Sequence, residues 1–373
     1  NKESNYTDKN MITENNVEPS VILNVVQAGI NGPYIYQDQG SVTITAQASD
    51  PNDDVLSFDW GQSDILLAGS AVTNQFTFDA STIAPGSYAV SVKVSDGSIQ
   101  TQRYIELLLA ATAPVLTAGN DADNDGLDDL SEGRSDDDAD GVPNYLDAVN
   151  EPTLLHTRVR AGANNALRQI QSTPGVTLVR GNYAVLSQHN GARISASDII
   201  GADGNVVTDT GFSVFGGYFD FEIHGLSAVQ RSATVVLPLT QTVPANASYR
   251  KFINDSWSVF IEDGVDQLRS AFSIEKECPA AGDAAYQPGL LIFSDCVELT
   301  LTDGGPNDAD LLVNGVIRDP GGVAIDSTVP GSISDNSLSA PDAATGGAGS
   351  LSWFWFTLMP LAFYQRRKYG AQH

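Results

Sequence analysis

A series of carboxylates at alternate positions constrains this chain more than any other part of its sequence. Asp121, Asp123 and Asp125 are followed by Gly126, and Glu132 closes the series at the twelfth position. Alternate side chains on a tightly turning loop can point at one centre, and glycine at the sixth position permits the turn. Because a hard divalent cation takes roughly six to eight oxygen ligands, this spacing predicts a calcium-binding loop.

The same spacing recurs directly afterwards. Asp136, Asp138 and Asp140 precede Gly141 in the same register. The two loops follow each other too closely for flanking helices, which argues against EF-hands. The alternative is a solvated acidic linker, as most aspartate-rich runs are, but such a linker has no reason to repeat the glycine and the closing carboxylate in register. The predicted calcium ligands are Asp121, Asp123, Asp125, Leu127, Asp129, Glu132, Asp136, Asp138, Asp140, Val142, Asn144 and Asp147.

Without metal, these closely spaced carboxylates would repel one another, so we expect metal binding to supply folding energy to this segment. The sequence GVPNYLD resembles the D-G-[IV]-P-[DN]-x-x-D repeats of the thrombospondin type 3 family. We therefore expect residues 114–150 to be a calcium-stiffened spacer between the regions on either side.

The charge balance narrows the classes of partner. The formal net charge is −27, which argues against nucleic acid or an anionic membrane surface and favours divalent cations. Hydrophobic residues make up 42% of the chain and charged residues 17%, enough for real cores in loop-rich β structure.

Residues 18–113 follow a polar lead-in, residues 1–17, which we expect to be disordered. The region consists of short alternating apolar runs broken by turn residues, and it predicts a β-sandwich. Residues 49–54 (SDPNDD), 56–60 (LSFDW), 84–88 (APGSY) and 94–97 (VSDG) resemble the PKD and cadherin-like Ig-type modules of bacterial surface proteins, although the W-x-F-G-D-G hallmark is absent.

Two features of this first region have alternative interpretations. Trp60 is predicted to be a core aromatic, the alternative being a ligand platform. Asp50, Asp53 and Asp96 could hold an interdomain calcium ion, as in cadherin-like pairs, or could serve as turn residues.

Residues 151–329 predict a second, larger β-sandwich or jelly-roll domain. The candidate strands are GVTLVR, YAVLSQ, YFDFEIHG, SATVVLPL, SWSVFIE, GLLIFSD and VELTLTD. The sequences GYFDFEI, VLPL, YRKF, LTDGGPNDAD and NGVIRDPGG, with Cys278-Pro279 and Asp295-Cys296, resemble in their order the choice-of-anchor U domain. That family lies upstream of surface-sorting signals in bacteria.

Two local features of this second region bear on its chemistry. In DGGPNDAD, the carboxylates of Asp303, Asp308 and Asp310 could converge on a further cation with Asn314 and Asp319, or they could cap strand ends in Asx turns. Cys278 and Cys296 are the two cysteines of the chain, and in an exported protein they predict one disulfide.

The C-terminal residues predict a surface-sorting signal. Residues 330–350 form a Ser/Gly/Pro/Ala linker, and residues 351–364 form a short apolar run followed by QRRK, which predicts a short hydrophobic helix. With Gly346 and Gly347 before the run, residues 351–373 resemble the GlyGly-CTERM signal. This resemblance implies initial insertion in the inner membrane, cleavage near the glycines by a rhomboid-type processing protease, and transfer to the cell surface. The alternative is an uncut membrane anchor.

No catalytic frame occurs around the four histidines, and His224 is expected to be a strand-end residue. Because the chain begins at Asn1 and has no Met-led signal peptide, we infer that a leader, with or without further N-terminal domains, precedes this sequence.

The sequence therefore predicts a mainly β, non-catalytic, calcium-binding protein exported to the bacterial surface and acting in adhesion or matrix contact. Two alternatives remain. One is the accessory region of an exported hydrolase, and the other is glycan or protein binding at Trp60, Phe76 and Tyr88.

Overall fold

The computed structural model describes residues 16–64, 67–158, 169–187 and 191–327. The lead-in up to residue 15, the linker 330–350, the segment 351–373 and the predicted cleavage site at Gly346 and Gly347 lie outside these residues. Within them the chain is mainly β, as predicted, and no helix is long and apolar enough to cross a membrane.

Among its described residues, the first β body (residues 18–113) has nine strands. They are β1 Ser20–Gln27, β2 Ile30–Asn31, β3 Tyr34–Tyr36, β4 Ser41–Ser49, β5 Ser57–Asp59, β6 Ser70–Val72, β7 Gln75–Asp79, β8 Gly86–Ser95 and β9 Gln100–Ala110. One sheet has the order β2-β1-β4-β7-β6 and the other the order β3-β9-β8-β5, with β3 and β9 parallel.

The alternating runs of this body place every second side chain between its two sheets. Val42, Ile44 and Ala46 of β4 share one buried cluster with Val90 and Val92 of β8. Both sheets therefore bury one face against a common core.

The second β body, which comprises the described residues between 151 and 327, is larger. Its strands are β10 Leu154–His156, β11 Gln169–Ser172, β12 Thr177–Arg180, β13 Arg193–Ile194, β14 Phe212–Val214, β15 Tyr218–His224, β16 Ser232–Pro238, β17 Ala247–Ile253, β18 Ser256–Val259, β19 Gln267–Ala271, β20 Gln287–Pro288, β21 Cys296–Thr302 and β22 Val316–Asp326. One sheet has the order β10-β11-β16-β21-β19-β20; the other has the order β12-β15-β22-β17-β18, with β13 on β15 and β14 on β22. Side chains of both sheets share one buried cluster.

Two of the predicted strands in this body are wrong. YAVLSQ falls in helix α2, Asn182–Ser187, whose first turn is capped where Asp220 Oδ2 accepts the N–H of Ala184 at 2.8 Å. GLLIFSD is largely a turn, in which Phe293 has a left-handed backbone (φ +72°) and a side chain that is 69% exposed. Apolar composition alone did not distinguish these segments from strands.

The two β bodies are in direct contact, which corrects the expectation of a spacer that separates them. Strand β9 of the first body lies against the second body: Arg103 Nη2 donates to the carbonyl of Arg180 at 2.8 Å, and the Arg103 guanidinium forms an ion pair with Glu222. Asn182 Nδ2 donates to the carbonyl of Gln102 at 2.9 Å. The described residues, 16–327 with the gaps given above, accordingly form one compact unit.

Candidate metal centre

Residues 121–132, here called loop 1, and residues 136–147, here called loop 2, have the same backbone geometry. The sixth-position glycines have left-handed φ values of +100° (Gly126) and +97° (Gly141), which a side chain would disfavour. The fourth-position residues also match, with φ +65° at Asn124 and +64° at Ala139. The repeat in the sequence is therefore a repeat in conformation.

Equivalent hydrogen bonds hold the two loops. The glycine N–H donates to the first aspartate at 3.1 Å in each loop, to Asp121 Oδ2 and to Asp136 Oδ2. The seventh-position N–H donates to the fifth-position aspartate: Leu127 to Asp125 at 2.7 Å, and Val142 to Asp140 at 2.8 Å. In this arrangement one oxygen of an aspartate fixes the loop while the other can face a common centre.

Loop 1 brings three of its predicted ligands together. Ligand oxygens of Asp121, Asp123 and Asp125 lie within 4.8 Å of one another. Asp123 Oδ2 and Glu132 Oε2 are buried and have no hydrogen-bond partner among the described residues. Burial raises the pKa of Asp123 to about 6, and burial together with the charges of Asp123 and Asp125 raises that of Glu132 to about 7. A cation at this centre would supply the missing partner.

The ninth-position side chains, predicted as calcium ligands, make hydrogen bonds within their own loops. Asp129 begins the short helix α1, Asp129–Glu132. Its carboxylate accepts hydrogen bonds from the Ala122 N–H at 2.8 Å and from the Asn120 side chain. Asn144 lies in a 3-10 turn, Asn144–Leu146, where its side chain exchanges hydrogen bonds with Asp137 at 2.9 and 3.1 Å. In both loops the ninth-position side chain braces the turn.

Loop 2 is more deeply buried. Asp136, Asp138 and Asp140 have oxygens within 4.8 Å of one another and are at most 9% exposed. Asp136 Oδ1, Asp138 Oδ2 and Asp147 Oδ2 are buried without a hydrogen-bond partner among the described residues. Burial, followed by the charge of Asp140, raises the pKa of Asp136 to about 7 and that of Asp138 to about 9.

His156 belongs to this second cluster, and sequence reasoning missed it. Its Nε2 lies 2.9 Å from Asp147 Oδ1 and 3.3 Å from Asp140 Oδ2, while its Nδ1 lies 3.3 Å from the Gln169 amide nitrogen. Since that amide nitrogen is a donor, Nδ1 accepts and Nε2 carries the proton toward the carboxylates. His156 orients the two aspartates as an outer partner orients metal ligands. No spacing motif in the sequence includes it.

Loop 2 is buried because both β bodies cover it. The Asp136 N–H donates to the carbonyl of Asn31 in the first body at 3.1 Å. On the other side, His156 belongs to β10 of the second body. Arg180, from β12, lies so close to Gly141 that a Cβ there would meet its guanidinium at 2.7 Å. The carboxylates of loop 2 therefore lie at the junction of the two bodies.

The DGGPNDAD loop favours the turn interpretation. Both oxygens of Asp303 accept backbone N–H groups, from Asn314 at 3.0 Å and Gly315 at 3.2 Å. Both oxygens of Asp308 do the same, from Gly304 at 2.9 Å and Arg318 at 3.0 Å. Asp310 Oδ2 is 3.3 Å from Arg318 Nη1. Among the described residues these three aspartates form no carboxylate cluster of the kind seen in the two loops.

In the first body, the structure brings Asp50 and Asp96 together with Asp54 in place of Asp53. Asp50 Oδ1 accepts the N–H of Asn52 at 2.8 Å, and Asp96 Oδ1 accepts those of Ser98 and Ile99 at 2.6 and 2.7 Å. These contacts are those of turn-forming aspartates, whereas Asp50 Oδ2 is buried without a hydrogen-bond partner among the described residues.

The candidate ligand platform of the first body is wrong. Trp60, Phe76 and Tyr88 are 5%, 7% and 6% exposed and belong to the buried cluster. The indole N–H of Trp60 donates to the carbonyl of Thr73 at 3.0 Å. The prediction of Trp60 as a core residue is confirmed, and the three rings are not available to an external ligand.

The two remaining features singled out in the sequence lie in the second body. Cys278 and Cys296 form a disulfide. His224 ends β15, as expected of a strand-end residue, with its Nε2 2.8 Å from Glu222 Oε2.

Comparison with known proteins does not identify the site. The sequence matches no family model and no curated protein. Among solved structures, the chain is similar to SusE-like protein BT2857 at 11% identity, covering 82% of this chain and 95% of that chain, with a TM-score of 0.13. The case for the site therefore rests on its own geometry.

Proposed function

We propose that loop 1 and loop 2 each bind a calcium ion, and that the ion in loop 2 fixes the two β bodies against each other. The observation that carries this proposal is the set of buried carboxylate oxygens without partners at Asp136, Asp138 and Asp147. A buried polar atom without a partner costs free energy, and a buried charge costs more. A divalent cation with oxygen ligands removes that cost for the whole cluster at once.

In this proposal the protein is a non-catalytic surface module, exported and held at the bacterial cell surface through its C-terminal signal, in adhesion or matrix contact. The disulfide and the charge of −27 support an extracellular setting. At a finer level, we infer an Ig-type module of the PKD or cadherin-like kind in the first body. We infer a choice-of-anchor U domain, of sandwich or jelly-roll form, in the second.

The stoichiometry of calcium binding tests the proposal. Full-length protein stripped with chelator should bind two calcium ions in a calorimetric titration, with the count checked by native mass spectrometry. Asp123→Asn and Asp138→Asn should each reduce the count to one, because each removes a buried ligand from one loop. Glu275→Gln, which removes an exposed carboxylate in the second body, should leave two. Absence of calcium binding to the wild-type protein would refute the proposal.

A further inference from the structure

Lys251 and Asp319 form a fully buried pair in the core of the second body. Both side chains are 0% exposed, and Lys251 Nζ lies 2.7 Å from Asp319 Oδ1. Taking such a pair out of water costs free energy that is recovered only when good hydrogen bonds satisfy both groups. The remaining contacts of the pair are therefore informative.

The two groups touch without the alignment of a hydrogen bond. Among the described residues, neither Lys251 Nζ nor either oxygen of Asp319 has a hydrogen-bond partner of acceptable geometry. A charged pair held only for stability would be expected to align its N–H groups with the carboxylate oxygens. The amine nevertheless lies 2.7 Å from the carboxylate oxygen, and the Tyr249 side chain also interacts with Asp319.

The strands fix this contact. Lys251 on β17 is paired with Gly321 on β22, so Asp319, two residues before Gly321, is its diagonal neighbour on the adjacent strand. Both side chains point into the core, because Lys251 lies two residues from Tyr249 and Asp319 two residues from Ile317, and side chains two apart on a strand share a face. Gly321 keeps the space open, since a Cβ there would lie 3.1 Å from Asp319 Oδ1.

A third buried carboxyl group, that of Asp266, interacts electrostatically with Lys251 and with Asp319. Asp266 is 0% exposed, its Oδ2 accepts a hydrogen bond from Asn307 Nδ2 at 2.7 Å, and its Oδ1 has no partner among the described residues. Burial raises the pKa of Asp266, against the hydrogen bond from Asn307 and the nearby charge of Lys251. Burial likewise raises the pKa of Asp319, against the charge of Lys251.

We propose that Lys251 and Asp319 condense to an intramolecular amide, with Asp266 as the proton shuttle. A proton passes from the Lys251 ammonium to the Asp319 carboxylate, and the amine Nζ then attacks Cγ. The Nζ–Cγ bond forms and the bond from Cγ to one oxygen breaks. Asp266 takes the proton that Nζ loses and delivers it to the departing hydroxyl, so that one water leaves. The step is redox-neutral and needs no co-reactant. The fold holds the amine and the carboxyl group close together, which lowers the entropic part of the barrier.

Such a bond would join β17 to β22 covalently, which suits a protein that carries load at a surface. The proposal is independent of calcium binding, because none of the three residues belongs to loop 1 or loop 2.

Peptide mapping of the purified, reduced full-length protein tests the proposal. Arg250 precedes Lys251 and Arg318 precedes Asp319, so trypsin releases both branches at defined ends. The expected product is a branched peptide that contains both residues and weighs one water less than its two parts. Recovery of a peptide beginning at Phe252, together with an unlinked Asp319 peptide, from folded wild-type protein would overturn the proposal and leave an ordinary ion pair.

Variants separate the bond from the fold. Lys251→Arg should give no branched peptide, whereas Lys276→Arg, an exposed lysine of the same body, should give the wild-type product. Asp319→Asn should still form the bond, with ammonia released in place of water. Its branched peptide should therefore weigh one ammonia less than its two unlinked parts, a loss that an ordinary ion pair would not produce. Asp266→Asn should abolish the bond or slow it severely, and full bond formation in that variant would remove Asp266 from the mechanism.

Discussion

Replacing Asp138 by asparagine should have opposite effects on the metal-free and the calcium-loaded protein. Asp138 is 3% exposed, its Oδ2 has no partner among the described residues, and burial with the charges of Asp140 and Asp147 raises its pKa from 3.8 to about 9. Without metal, folding at neutral pH therefore requires this group to take up a proton. Asparagine is neutral already and nearly isosteric.

The magnitude follows from the pKa. Each pKa unit corresponds to about 1.4 kcal/mol, so protonating Asp138 at pH 7 costs up to about 4 kcal/mol that the variant does not incur. Calcium at 100 times its dissociation constant would stabilise the wild-type protein by about 2.7 kcal/mol per site. The variant should lose most of that gain at loop 2, because it lacks a charged ligand.

Thermal unfolding of both proteins in chelator and in calcium measures both effects. We expect Asp138→Asn to melt several degrees above the wild type in chelator and to show a smaller calcium-induced rise in Tm. Glu275→Gln should match the wild type in both conditions. A variant that melts below the wild type in chelator, or that keeps the full calcium-induced rise, would contradict the reasoning.

Three further predictions concern the junction, the acidic loops and the disulfide. Arg103→Met should destabilise the protein by about 3 kcal/mol, because it removes the guanidinium paired with the buried Glu222 and leaves that carboxylate with His224 and, at 3.9 Å, Arg318. Denaturant unfolding measures this loss, and a change below about 1 kcal/mol would contradict it. In chelator, the free energy of unfolding should fall as the pH rises from about 4 to about 9. The native state holds protons that the unfolded state has lost, because four carboxylates have folded pKa values of about 6 to 9, above their unfolded values: Asp123, Glu132, Asp136 and Asp138. Saturating calcium should abolish this pH dependence, and a rise in stability over the same range would contradict the prediction. Replacing Cys278 and Cys296 together by serine should cost about 3 kcal/mol through the larger entropy of the unfolded chain, and unfolding curves unchanged from those of the disulfide-bonded protein would show that the cross-link adds nothing.

Local patterns in the sequence were sufficient for much of the fold. The alternation in the first body predicts strands with one buried face, and Trp60 lies in the core as its surroundings indicate. The register of aspartate and glycine in the acidic segment predicts two equivalent turns, which the φ values of Gly126 and Gly141 show. Each of these signals depends on residues that are close together in the chain.

The remaining features depend on partners that are distant in the chain. His156 joins loop 2 because β10 returns beside it, and the cap of helix α2 comes from Asp220 on a later strand. The contact between the two bodies depends on Arg103 and Glu222, which no spacing relates. The pair of Lys251 and Asp319 could not be predicted for the same reason. Both residue types are common, and only the burial of the pair makes it unusual.

Hydrogen exchange with and without calcium is the most direct test of the central claim, that a metal ion in loop 2 fixes the junction of the two β bodies. The amides of residues 136–147, and those of β9 where it contacts the second body, should be protected in calcium and should exchange much faster in chelator. The core strands β16 and β21 should change far less. Equal exchange at the junction in both conditions would contradict the account.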